Sequence, residues 1–103
     1  MTEQDFQSAV LDLAHVYGWK RAHFRAARTE HGGWRTPVEG DGAGFPDLLL
    51  LRDDRLIVAE LKSETGKATA VQTMWLTAFA QAGAEVHLWR PSQLQTEVLE
   101  TLK

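Results

Sequence analysis

Apolar positions recur at helical spacing from the start of the chain. Phe6, Val10, Leu13 and Tyr17 mark one face of a helix over residues 3–17, with Thr2 as its N-cap and Gly18 as its stop. That period is lost in residues 19–27 (WKRAHFRAA), where aromatic and basic residues close behind a helix predict a short strand. Residues 28–45 hold Gly32, Gly33, Gly40, Gly42, Gly44 and Pro37, with Pro46 directly after, a composition expected to sustain neither helix nor sheet. A long loop inside a compact domain is often where function sits.

Two apolar runs follow, Asp47–Arg52 and Arg55–Lys62, separated by Asp53-Asp54, which predicts a β-hairpin. A second turn is expected over 63–67. Thr69 then opens a helix running to Ala82, with Gln72 at the reciprocal capping position, Gly83 as the stop, and Val71, Trp75, Ala78 and Ala82 as its buried stripe. Trp75, Phe79, Met74 and Trp89 are all expected in the core. Residues 84–89 predict a strand and 92–102 a final helix, broken from it by Pro91. The order α-β-loop-β-β-α-β-α predicts an α/β sandwich with a small mixed sheet, its strand-helix-strand unit across 55–89 forming a right-handed parallel crossover.

With 103 residues, one domain over 1–103 with one core is expected. The 44% apolar and 24% charged residues are ordinary for a globular protein and exclude the disordered and fibrous classes. The longest apolar run, Leu48 to Leu51, is far short of a membrane span, and the start of the chain lacks the pattern of a secretory signal. The absence of Cys excludes disulfides and thiolate metal sites, which fits a cytoplasmic protein. Scattered His15, His31 and His87 lack paired spacing for zinc.

Charge is distributed unevenly. The net charge is -3, yet residues 19–36 carry Lys20, Arg21, Arg25, Arg28 and Arg35 against Glu30 alone, a local balance of +4 that leaves -7 on the rest. Such a basic segment on an acidic body is either a solvated strip or a polyanion contact.

The hairpin holds the candidate chemistry. A turn centred on Asp53-Asp54 opposes residues whose numbers sum to 107, so Asp47 faces Glu60 across the ladder. Strand alternation brings Lys62 to the same face, along with Leu49, Leu51, Leu56 and Val58. Opposed carboxylates repel, and the repulsion is relieved by a shared proton, by a nearby cation such as Lys62, or by a bound metal. Two hard oxygen ligands suit Mg²⁺ or Mn²⁺, and a lysine beside them can orient or deprotonate water or stabilise charge on a phosphate.

Pro46-Asp47 followed by Glu60-Leu61-Lys62 resembles the bipartite motif of the PD-(D/E)xK nuclease superfamily. The wider pattern is similar to its VRR-NUC branch: Gly44-Phe45-Pro46-Asp47-Leu48, Glu60-Leu61-Lys62, Gln72 opening a helix, the Glu3…Phe6-Gln7 helix and the closing Val86-His87-Leu88-Trp89-Arg90-Pro91. The resemblance covers nearly the whole chain. It implies a restriction-endonuclease-like αβββαβ core with a C-terminal helix, and metal-dependent endonucleolytic hydrolysis of DNA phosphodiesters. Asp47, Glu60, the Leu61 carbonyl and Glu3 would hold Mg²⁺ or Mn²⁺, with Asp5 or Gln7 as alternatives to Glu3. Lys62 would be the catalytic lysine, and Gln72 a site residue, a helix cap, or both. Small stand-alone members resemble junction-processing enzymes, so branched DNA such as a four-way (Holliday) junction and a homodimer are the implied partners.

Under that reading Arg28, Arg35, Arg25, Lys67 and His23 would contact DNA. Each has a plainer alternative: Lys67 as an exposed lysine, His23 as a hydrogen-bonded strand residue, and Trp34 as a loop anchor rather than a base-stacking platform. A non-catalytic nucleic-acid-binding module of the same fold is the competing function, although the intact Asp47, Glu60 and Lys62 count against it. A plain interaction domain would leave the opposed carboxylates unexplained.

Overall fold

The computed structural model describes residues 1–24, 27–28, 34–35 and 39–103, with the backbone alone for 27, 28, 34 and 35. Helix α1, Glu3–Val16, begins where Thr2 accepts from the Asp5 N–H at 3.0 Å while Asp5 accepts from the Thr2 N–H at 3.3 Å. It stops at Tyr17, and Gly18 takes the left-handed φ of 82° that a side chain would resist. Phe6, Val10 and Ala14 are its fully buried line. Leu13 and Tyr17, expected on that stripe, lie at its border and are only partly buried.

Strand β1, Lys20–His23, is shorter than the expected 19–27. Among the described residues, sheet also reaches into the stretch 28–45 expected to hold none: β2, Ala27–Arg28, pairs antiparallel with β3, Trp34–Arg35, as a separate two-stranded ladder. Strands β4, Leu48–Arg52, and β5, Arg55–Leu61, form the predicted hairpin, pairing Arg52 with Arg55 and Leu48 with Ala59. Its tight turn puts Asp53 at φ 54°, a conformation that a short polar side chain tolerates.

Helix α2, Ala70–Gln81, crosses to β6, Glu85–Trp89, which lies parallel to β5. The main sheet is therefore mixed, in the order β1-β4-β5-β6. Past Pro91 the chain stays helical as a 3₁₀ turn (Pro91–Gln93), a π turn (Leu94–Val98) and a last α turn, α3 (Leu99–Leu102). A helix is found where one was expected, but its interior is wound more loosely.

The two faces of the sheet differ. On one, Leu48, Leu50, Ile57, Ala59, Leu61 and Trp89 pack against α1, Val98 and Leu102 as the main core. Its Arg52 end is stitched to the helices: the guanidinium donates to Tyr17 O, Leu102 O and Lys103 O at 2.9–3.0 Å and lies 4.3 Å from the Trp19 ring centre. Arg55 binds Glu85 through two bonds of 2.8 Å. On the other face α2 covers β5 and β6.

The burial of α2 corrects the expectation. No residue of this helix is fully buried, and Val71, Ala78 and Ala82 are exposed. The half-buried line is Gln72, Trp75, Leu76 and Phe79, while Met74, expected in the core, is 61% exposed. A helix apolar around its circumference offers several stripes of equal appeal, and the sheet selects among them. Among the described residues no helix is long and apolar enough to cross a membrane.

Candidate functional site

The site forms where the hairpin opens. Asp47 lies one residue before β4, whose ladder with β5 ends at the Leu48–Ala59 pair; extending that register by one residue sets Asp47 opposite Glu60. Two hydrogen bonds fix Asp47: its carbonyl accepts from Phe24 N at 2.8 Å, and its Oδ2 accepts from Leu61 N at 2.9 Å. The carboxylate of one strand is thereby tied to the backbone between the two key residues of the other.

Glu60 is 2% exposed, the one buried charged side chain among the described residues. Lys62 Nζ stands 3.7 Å from Glu60 Oε1, and Lys62 N donates to Trp89 O at 2.9 Å, which extends the pairing with β6 past Glu60. Glu60 Oε2 has no hydrogen-bond partner. Burial first, and then the neighbouring Asp47 carboxylate, push the Glu60 carboxyl up to about 8, against the opposing pull of Lys62. A buried carboxylate oxygen without a donor is costly, and a cation or a proton would satisfy it.

The Asp47 carboxylate, the Glu60 carboxyl and the adjacent Leu61 carbonyl are oxygen donors of the kind that suits a hard divalent cation. Glu3 is not brought to them. It occupies the exposed first turn of α1, and among the described residues no group of three or more acidic or imidazole side chains gathers as a metal cage. Asp5, the alternative, is engaged in the cap with Thr2.

Gln72 holds both ends of its capping box, accepting from Thr69 N at 2.9 Å and donating its own N–H to Thr69 Oγ1 at 3.2 Å. The residue is half-buried, on the same line of α2 as Trp75, Leu76 and Phe79. His23 pairs with Leu48, so alternation puts it on the α1 face, opposite the face shared by Asp47 and Glu60. Lys67 is exposed in the turn beyond Lys62. Arg25 lies outside the described residues, as do the side chains of Arg28, Trp34 and Arg35.

Two features escape the sequence pattern. Arg90 grips the 63–67 turn, donating from Nη1 to Ser63 O and Gly66 O at 2.6 Å each. Trp75 reaches back to the loop that leads into Asp47, its indole N–H shared between Ala43 O at 3.1 Å and Asp41 O at 3.2 Å. A lone arginine between a strand and Pro91 was the available signal for the first; the second had none beyond an aromatic on an apolar helix.

Searches against known proteins returned no match to this chain among family models, curated proteins or solved structures.

Proposed function

We propose that this chain is a divalent-metal-dependent endonuclease of VRR-NUC type, with a restriction-endonuclease-like core, acting on DNA. The observation that carries the reading is Glu60, buried beside Asp47 one residue beyond the Leu48–Ala59 pair, with one of its oxygens unpartnered and Lys62 beside the other. An isolated ion pair explains Lys62 but leaves the second Glu60 oxygen to share a proton with Asp47 or to bind a cation. The order α1-β1-β4-β5-α2-β6, once the short β2–β3 ladder between β1 and β4 is set aside, supports the same conclusion.

Asp47, Glu60 and the Leu61 carbonyl would hold Mg²⁺ or Mn²⁺, which when bound supplies Lewis acidity toward a phosphoryl oxygen and acidifies water. The chain's own residues do the rest. Asp47 is anchored by the Leu61 N–H, which donates to its Oδ2 at 2.9 Å. Lys62 Nζ lies 3.7 Å from Glu60 Oε1, where its ammonium can orient the attacking water or stabilise the charge that develops on the phosphate. Gln72 and Lys67 are proposed to contact the substrate on either side of that centre, together with the basic segment containing Arg25, Arg28 and Arg35. Branched DNA is the proposed substrate and a homodimer the proposed assembly, in which two sites in fixed relation would suit a symmetric junction.

The test is cleavage of labelled four-way junction, flap, duplex and single-stranded DNA with Mg²⁺, Mn²⁺ or EDTA, alongside Lys62→Ala. Metal-dependent cuts that the variant loses are expected. A protein that binds the panel in every condition and never cuts would instead be the non-catalytic binding module.

A further inference from the structure

We infer that Trp75 is a positioning residue for Asp47, acting as a latch that fastens the loop over residues 41–46 to α2. The inference rests on the metal-site reading for its consequence and on geometry for its existence. The loop carries Gly42 and Gly44 and contributes to neither helix nor sheet, so its backbone has no ladder to define its path. It nevertheless delivers Asp47 to one position, directly before the Leu48–Ala59 pair, with Oδ2 on the Leu61 amide.

Three contacts to α2 supply the missing definition. The Trp75 indole N–H donates to Asp41 O and Ala43 O, satisfying two carbonyls at the loop's outer bend. Gly44 lies so close to the helix that a Cβ there would meet Val71 Cγ1 at 2.7 Å and Gln72 N at 3.0 Å, and its φ of 76° also favours glycine. Phe45 then packs edge-on between Trp75 and Phe24, at centroid distances of 5.0 and 5.1 Å. Buried Pro46 leads directly into Asp47. Losing the indole N–H would free the bend while most of the aromatic packing remained, and the carboxylate at the end of the loop would lose its fixed aim.

The direct readout needs no metal: hydrogen exchange at the Leu61 amide, which donates to Asp47 Oδ2. In Trp75→Phe this amide is expected to exchange about tenfold faster, and Mn²⁺ affinity by calorimetry to fall about tenfold, the lower end of the range for groups that orient metal ligands. Leu76→Val, on the same half-buried line without the indole bond, controls for general loosening and should leave both unchanged at temperatures where it is fully folded. Unchanged Leu61 exchange in Trp75→Phe, or equal acceleration in Leu76→Val, overturns the inference. Failure of the wild type to bind Mn²⁺, with Leu61 exchange still dependent on Trp75, overturns the metal reading and leaves the latch standing.

Discussion

Glu60 has a carboxyl group almost wholly withdrawn from water, facing a second carboxylate and balanced by one lysine. Because the folded chain holds the Glu60 proton more tightly than the unfolded chain does, this group's stabilisation is fully present below the ordinary value of 4.5. It is lost as pH rises through about 8. Thermal midpoints measured in EDTA should therefore fall between those limits more steeply for the wild type than for Glu60→Gln; parallel curves would mean that Glu60 is ionised throughout. Asp47→Asn removes one of the two opposed charges. It should weaken Mn²⁺ binding and leave the metal-free protein as stable as before or more so, and unchanged Mn²⁺ affinity would place the ligand set elsewhere. Lys62→Ala should lower cleavage by about 10²–10⁴-fold, the usual scale for a lost acid-base or charge-stabilising group. Its fold and Mn²⁺ affinity should be retained, and persistent cleavage would remove Lys62 from the chemistry.

At the scale of elements, the turn between Lys62 and Lys67 is held by Arg90 at the end of β6, by Ser63 Oγ accepting from Gly66 N, and by Glu64 accepting from Ser92 N. Arg90→Ala deletes two short bonds to Ser63 O and Gly66 O. It should cost about 1–2 kcal/mol in urea denaturation, a typical figure for bonds made by a charged donor. Protection from exchange should fall first in residues 63–67. The hairpin was legible in the sequence because its information is local: a two-residue turn and strict alternation determine which residues face each other. The helix starts at Thr2 and Thr69 were legible for the same reason, since a cap involves residues three apart. The face of α2 was not. AVQTMWLTAFAQ is apolar nearly all round, so whether Ala78 or Phe79 meets the sheet depends on β5, β6 and Phe45, which are distant in sequence. The β2–β3 pairing was hidden because a ladder of only two residues per strand has no alternation to read and its second strand directly follows Gly32 and Gly33. Of the site, Asp47, Glu60 and Lys62 were readable, whereas Trp75 and Arg90 act through backbone carbonyls that carry no sequence signature.

For the whole molecule, an ion that binds only the folded state raises its stability. At about a hundredfold excess of Mn²⁺ over Kd the gain should be about 2.7 kcal/mol, reversed by EDTA and absent in Glu60→Gln. The exposed Val71 and Met74 of α2 give the proposed homodimer an apolar contact. Met74→Glu should accordingly shift sedimentation from dimer toward monomer, and a wild type that sediments as a monomer at every concentration would contradict that assembly. The central claim is that Asp47 and Glu60 together hold a divalent cation, and anomalous diffraction from crystals grown with Mn²⁺ tests it most directly. The account predicts a manganese peak shared by the Asp47 carboxylate and Glu60 Oε2, with the Leu61 carbonyl as a further ligand. Saturating Mn²⁺ with no peak there, and a proton shared between the two carboxyls instead, would contradict it.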